Sequence, residues 1–240
     1  MSHYLTTVAI TLGYTLRGDH DRIYTLSTQA FGKVEAVAEG SAKILSKLAG
    51  HLEPFGEVVV TVVRRGSTAK LTGAVCRQRF LRLARSAEGM AAAGACLRIS
   101  HQLFGEGQAD ALPYRLLRGT LETLEGGLPS VQRDAASAVY VIQLVAALGW
   151  RPQLDRCGRC GAALTAGEFD VPSGSVRCAA CSRRLPSGLP LPAESLAYVR
   201  AVAQVPVADA LAVAPPAAAV AVCRQLGNAV AAYHAAVDIA

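Results

Sequence analysis

Residues 57–78 read EVVVTVVRRGSTAKLTGAVCRQ, and the way this stretch divides decides the fold. Glu57 to Val63 is a β-branched run, Arg64-Arg65-Gly66-Ser67 is turn-like, and Lys70 to about Gln78 is apolar again, which predicts two strands joined by a hairpin. Further back, apolar and β-branched residues recur over Leu5 to Leu16, Arg22 to Ser27 and Phe31 to Val37. The loop Arg17-Gly18-Asp19-His20-Asp21 and the pair Gln29-Ala30 separate them, so the spacing predicts a three-strand meander. Between meander and hairpin, Gly40 and Ser41 open a pattern that Gly50 closes, with Ile44, Leu45 and Leu48 on one face; it predicts a helix over Ser41 to Ala49. The order βββ-α-ββ is that of an OB-fold, a small barrel that frequently binds single-stranded nucleic acid. Order alone leaves a purely structural barrel open.

From Arg82 onward the apolar period becomes helical. Arg82 to Phe104, Leu112 to Leu124 and Ser130 to Leu148 read as helices, the last behind Pro129 at a first-turn position. Gly105-Glu106-Gly107 and Gly126-Gly127 break the chain between them. A cysteine-rich insert fills Arg151 to Arg184, after which Ala193 to Ala203 and Ala217 to Ala236 return to helix. The predicted architecture is an α+β multidomain protein: an N-terminal OB-fold β-barrel over 1–81, an α-helical domain over 82–150 and 186–240, and an inserted four-cysteine zinc-finger module over 151–185.

The insert carries Cys157-Gly158-Arg159-Cys160 and Cys178-Ala179-Ala180-Cys181, two CxxC knuckles separated by 17 residues. Each two-residue gap lets both sulfurs face one point while the backbone turns, and Gly158 and Gly161 relieve the steric demands of that turn. Four thiolates complete a tetrahedron about 2.3 Å from Zn²⁺, with no open position to activate water, so one structural zinc ion is the reading. A redox CxxC and an iron–sulfur cluster are its rivals. Few large apolar residues lie between Leu164 and Val176, which suggests metal in place of a hydrophobic core. Cys76, Cys96 and Cys223 stand alone and are expected to be buried as small apolar groups.

The 240-residue chain is 52% hydrophobic, enough to bury a sizeable core, and carries a net charge of +6. Residues 1–85 hold 12 Lys and Arg against 6 Asp and Glu, whereas the other 155 hold 12 of each, so the positive excess is N-terminal. It points to a polyanion partner, with a solvated basic face as the plain alternative. Arg64, Arg65 and Lys70 flank the hairpin turn, Lys43 and Lys47 sit four apart on the expected helix face, and Arg77, Arg79, Arg82 and Arg85 follow; these nine are the candidate DNA contacts. Arg159, Arg177, Arg183 and Arg184 on the insert read first as surface charge. Tyr4, Tyr14, Tyr24, Phe31, Phe55 and Phe80 are the few aromatics near the barrel, several at core positions. Stacking is therefore not the main affinity term, and a backbone grip accepts single and double strands with steep salt dependence.

Enzyme signatures are missing. Gly105-x-Gly107 lacks its third glycine, no GxxxxGK[ST] or HExxH occurs, and the five histidines are scattered. A non-catalytic protein is expected. The N-terminus lacks the basic segment and long apolar run of a secretory signal, and no stretch is long and unbroken enough to span a bilayer, which predicts a cytoplasmic chain with no membrane partner.

Taken together, Asp21-Arg22-Ile23-Tyr24-Thr25-Leu26, Phe31-Gly32-Lys33, Gly40-Ser41-Ala42-Lys43 with Ser46, and His51-Leu52-Glu53-Pro54-Phe55 resemble the RecO family of bacterial recombination mediators, and so do the helical portion and the Cys157 to Cys181 knuckles. The family usually has Leu-Gln-Pro-Phe where this chain has Glu53 in place of Gln. The resemblance implies binding of single- and double-stranded DNA, annealing of complementary strands, and association with RecR and with the C-terminal tail of single-stranded-DNA-binding protein. It also implies indirect help in loading RecA on gapped DNA, in the cytoplasm at the nucleoid. An RNA-binding OB/zinc protein and a non-catalytic adaptor with an incidental basic face are the alternatives.

Overall fold

The computed structural model describes residues 3–65, 68–106, 109–183, 188–211 and 215–237. The chain falls into two compact units, residues 1–125 and 126–240.

In the first unit the expected strands form: β1 (His3–Arg17), β2 (Asp21–Thr28), β3 (Gly32–Ala38), β4 (Gly56–Arg65) and β5 (Thr68–Arg79). Their order β1-β2-β3-β5-β4 returns on itself as a closed barrel, an OB-like arrangement. Closure depends on β1. Its first half pairs with β4, from His3↔Arg64 to Ile10↔Glu57, and its second half with β2, from Ala9↔Thr28 to Arg17↔Asp21. A register irregularity between Thr11 and Gly13 bends the strand so that it can serve both neighbours. Alternate residues face inward, so Val34, Ala36 and Ala38 meet Val58, Val60 and Val62 around Tyr24, Leu26 and Leu71. The β4–β5 ladder runs on to Arg65↔Thr68, which puts Arg64 and Arg65 in the strand rather than in the turn.

The helix expected over Ser41 to Ala49 does not form; the segment is a chain of turns ending in one 3-10 turn, Ala49–His51. Gly40 adopts φ +64°, its N–H is held by the Asp21 carboxylate at 2.8 Å, and the Ala42 N–H donates to His20 O at 2.9 Å. Ser41, Lys43 and Ser46 donate backwards three residues, as in successive turns. Nine residues tied down in this way have neither the length nor the apolar support to nucleate a helix. Ile44 and Leu45, expected to share one face of that helix, are 102% and 92% exposed.

Helices α1 (Leu81–Arg85), α2 (Ala87–Leu103) and α3 (Ala111–Glu125) complete this unit. The single helix expected over Arg82 to Phe104 is broken at Ser86, whose Oγ accepts the Gly89 N–H at 2.8 Å and starts α2 as its N-cap.

The second unit holds α4 (Ser130–Ala147), β6 (Gly167–Asp170), β7 (Ser175–Arg177), α5 (Ala179–Ser182), β8 (Leu189–Leu191), α6 (Ala193–Val202), α7 (Val207–Ala210) and α8 (Ala217–Val237). Helix α4 is buried almost all round between Ala135 and Val145 and packs on α8. Gly227 allows the close approach, since a β-carbon there would lie 2.8 Å from Val141 Cγ1. The buried Gln143 amide donates to Val202 O at 2.7 Å and Val205 O at 2.6 Å, fixing the end of α6. Among the described residues no helix is long and apolar enough to cross a membrane. Cys96 and Cys223 are buried as expected, and burial pushes the Cys223 thiol up to about 12; Cys76 is only half-buried.

Candidate metal centre and basic surface

Two short structures deliver the four cysteines. The first knuckle is a tight loop in which Cys157 N–H donates to Ala162 O and Gly161 N–H to Cys157 O, with Gly161 at φ +72°. Gly158 is required for a different reason: a β-carbon there would lie 2.1 Å from Ser175 Oγ, on the neighbouring strand β7. The second knuckle leads into the one-turn helix α5, where the Cys181 and Ser182 N–H groups return to Cys178 O. The sulfurs of Cys157, Cys160, Cys178 and Cys181 come within 4.8 Å of one another and could hold a metal ion. A tetrahedron with metal–sulfur bonds of about 2.3 Å has edges of about 3.8 Å, and the Cys160 and Cys178 sulfurs are 3.8 Å apart.

Burial of Cys157 opposes its ionisation, but the N–H groups of Cys178, Cys160 and Arg159 outweigh it and bring the thiol down to about 6. Cys181 is pushed up to about 12, first by the hydrogen bond with Cys178 and also by the charge of Cys157, because neighbouring thiolates repel one another and resist ionising together. A cation among them reverses that repulsion, so an all-thiolate donor set fits a soft or borderline divalent ion.

The insert also has an apolar core that the sequence reading discounted. Phe169, Val176 and Leu191, one on each strand of the three-stranded sheet β7-β6-β8, are buried, and so are Leu154 and Leu164 outside it. Arg200, on α6, donates from Nε to Leu154 O and from Nη1 to Leu164 O, both at 3.1 Å, anchoring the insert to its own unit.

The nine basic candidates separate by what they touch. Lys70 pairs with Glu39 at 2.6 Å, Arg77 with Glu57 at 3.3 Å, and Arg79 donates to Gly50 O at 2.6 Å. Lys43, Lys47, Arg64, Arg82 and Arg85 are exposed and form no ion pair with another described residue. Lys43 and Lys47 lie in the turn segment, so they do not share a helix face. The Arg65 side chain and Arg184 lie outside the described residues. On the insert, Arg177 pairs with Asp170, whereas Arg159 and Arg183 are exposed.

One cluster escaped the sequence reading. Glu57, 2% exposed, receives the Tyr114 hydroxyl and pairs with Arg118 at 2.9 Å and with Arg77, joining β4, β5 and α3. Burial, then the bond to Glu57, pushes the Tyr114 hydroxyl well above its ordinary 10.

Models of the N-terminal and C-terminal parts of recombination protein O match residues 1–80 and 84–235. The chain belongs to the RecO family. Its relatives include a DNA repair protein RecO of Anaeromyxobacter sp. (strain K), 35% identical over 75% of this chain and 71% of the relative. A second, from Dehalococcoides mccartyi (strain ATCC BAA-2100 / JCM 16839 / KCTC 5957 / BAV1), is 30% identical over 82% of this chain and 78% of the relative. A third, from Geobacter metallireducens, is 32% identical over 74% and 72%.

In this RecO-family chain the Gly158 packing makes a sharp prediction. Gly158→Ala is expected to weaken the insert by about 1–3 kcal/mol through overpacking on Ser175, seen as faster metal loss to a chelator. Ser175→Gly in the same chain should restore retention, and unchanged loss in the single variant would refute the packing account.

Proposed function

We propose that this protein is a non-catalytic mediator of DNA repair and recombination, binding single- and double-stranded DNA through its barrel and annealing complementary strands. Family membership across both parts of the chain carries the reading, since the relatives matched are DNA repair proteins. The barrel is taken as an OB-fold domain over 1–81, beside a helical domain over 82–150 and 186–240. The insert over 151–185 is taken as a zinc module, with Cys157, Cys160, Cys178 and Cys181 as ligands of one structural Zn²⁺. RecR, the tail of single-stranded-DNA-binding protein and, indirectly, RecA are the proposed partners, in the cytoplasm at the nucleoid.

The mechanism needs no nucleotide hydrolysis. Basic side chains neutralise the phosphates of one strand, repulsion toward a second strand falls, and base pairing selects the partner. The candidate phosphate contacts are Lys43, Lys47, Arg64, Arg65, Lys70, Arg77, Arg79, Arg82 and Arg85, and those without an internal carboxylate should contribute most. The metal would hold the two knuckles together and supply no reaction step.

The test is annealing of two complementary oligonucleotides without ATP, over a salt titration. Replacing Arg64, Arg65 and Lys70 by Ala should weaken duplex binding and flatten the salt slope by about 0.9 for each phosphate that is no longer neutralised. Arg64→Ala alone should flatten it more than Lys70→Ala, because Lys70 already faces Glu39. An unchanged slope in the triple variant rejects this surface.

A further inference from the structure

We propose that a hollow at the end of the β4–β5 ladder remote from the hairpin receives one unpaired base of a DNA strand, an inference that rests on the DNA-binding reading above. The ladder ends at Gly56↔Arg79, and the Phe80 N–H donates to Phe55 O at 2.9 Å just beyond it. Around this point lies a cavity of 380 Å³ whose walls include Phe55, Phe80 and Leu81, with His51, Glu53 and Arg79 among its polar groups. That size falls within the range of about 300–1,000 Å³ typical of small-ligand sites.

Two of the wall residues sit where folding alone does not want them. Phe55 has φ +61°, the one left-handed non-glycine among the described residues, and such a conformation costs on the order of 1–3 kcal/mol. The strain is held by the bond from Phe80 behind it and the strand pairing of Gly56 after it, and the half-buried ring becomes a wall of the hollow instead of barrel core. Leu81 is 46% exposed at the start of α1. An aromatic ring and an aliphatic side chain lining one hollow suit a flat, apolar-faced ligand.

The polar groups suit the edge of a heterocycle. His51 Nδ1 accepts the Cys76 N–H at 3.2 Å, so in the neutral ring the proton is on Nε2, which is a donor. Arg79 spends one donor on Gly50 O and has four more. Glu53 is exposed and offers only acceptors. Donors and a carboxylate acceptor beside apolar walls match a nucleobase edge, whereas a bare phosphate would be repelled by Glu53. Arg82 and Arg85 follow Leu81 on α1, so exposed positive charge for the flanking phosphates lies near the hollow.

The hollow adds a base-dependent contribution to a largely electrostatic grip. It distinguishes an unpaired strand, whose base can leave the stack, from a duplex, whose bases are engaged. Pairing with an incoming strand would withdraw the base from the hollow.

The test compares equilibrium binding of the full-length protein to a single-stranded oligonucleotide and to an abasic deoxyribose-phosphate strand of equal length at fixed salt. Phe55→Gly keeps a residue at home at positive φ, and Leu81→Ala trims a surface side chain, so both variants should fold. The unaltered protein should bind the base-bearing strand about tenfold more tightly, and each variant should lose most of that difference while its abasic affinity and salt slope stay put. Variants that keep the full preference, or an unaltered protein that shows none, overturn the proposal. Failure to bind either strand instead rejects the DNA-binding reading and this inference with it.

Discussion

Arg118→Ala is expected to lower the stability of residues 1–125 by about 3 kcal/mol, because it strands a buried carboxylate. Glu57 is 2% exposed, and its partners beside the Tyr114 hydroxyl are Arg118 and Arg77, whose side chains are 36% and 57% exposed. The arginines can turn to water when the carboxylate is removed; the carboxylate cannot do the same when Arg118 is removed. Glu57→Gln should therefore cost less than Arg118→Ala, with the Tyr114 hydroxyl still able to donate to the amide oxygen. Glu57→Leu with Arg118→Leu should recover most of the deficit, since two apolar groups leave no buried charge unpaired. Denaturant unfolding of Glu57→Leu, Arg118→Leu and the variant carrying both gives the coupling directly. An Arg118→Ala variant as stable as the parent would show that Arg77 and Tyr114 suffice for Glu57.

The same cluster adds a pH dependence with a definite sign. The Tyr114 hydroxyl is held above its ordinary value of 10 by burial and by Glu57, so the folded state keeps that proton longer than the unfolded chain does. Its stabilising contribution is complete below pH 10 and is lost as the pH rises toward the folded value, a loss that Tyr114→Phe should abolish.

What could be read from the sequence follows from how far apart the interacting residues are. The strands were legible because each is a run rich in apolar and β-branched residues, and the hairpin because its turn residues lie between two such runs. The Ser41 to Ala49 segment misled because Ile44, Leu45 and Leu48 mimic a helix face, while the bonds that fix it as turns come from Asp21 and His20, on another part of the chain. The cysteine tetrad was legible since two CxxC spacings already constrain each pair of sulfurs. The Glu57 cluster was not, because Arg77, Tyr114 and Arg118 are 20, 57 and 61 positions away and no local pattern joins them. Nor could the sequence tell Lys70 and Arg77, which face carboxylates of their own chain, from the uncommitted Arg64.

Cys157→Ser with Cys178→Ser is expected to unfold the two knuckles and the sheet β7-β6-β8 while leaving β1 to β5 intact. Binding of structural zinc by small cysteine modules contributes about 10–16 kcal/mol. Phe169, Val176, Leu154, Leu164 and Leu191 are buried, but five large apolar side chains are few to order two knuckles and three short strands, so the sheet β7-β6-β8 should not survive without the metal. Metal analysis should find one zinc per chain in the parent and none in the variant, and hydrogen exchange should lose protection at Phe169 and Val176 but not at Val58 and Val60. Retained protection at Phe169 in a metal-free chain would mean that the apolar core and the Arg200 anchors hold the insert by themselves, and the ion would then serve a role other than folding.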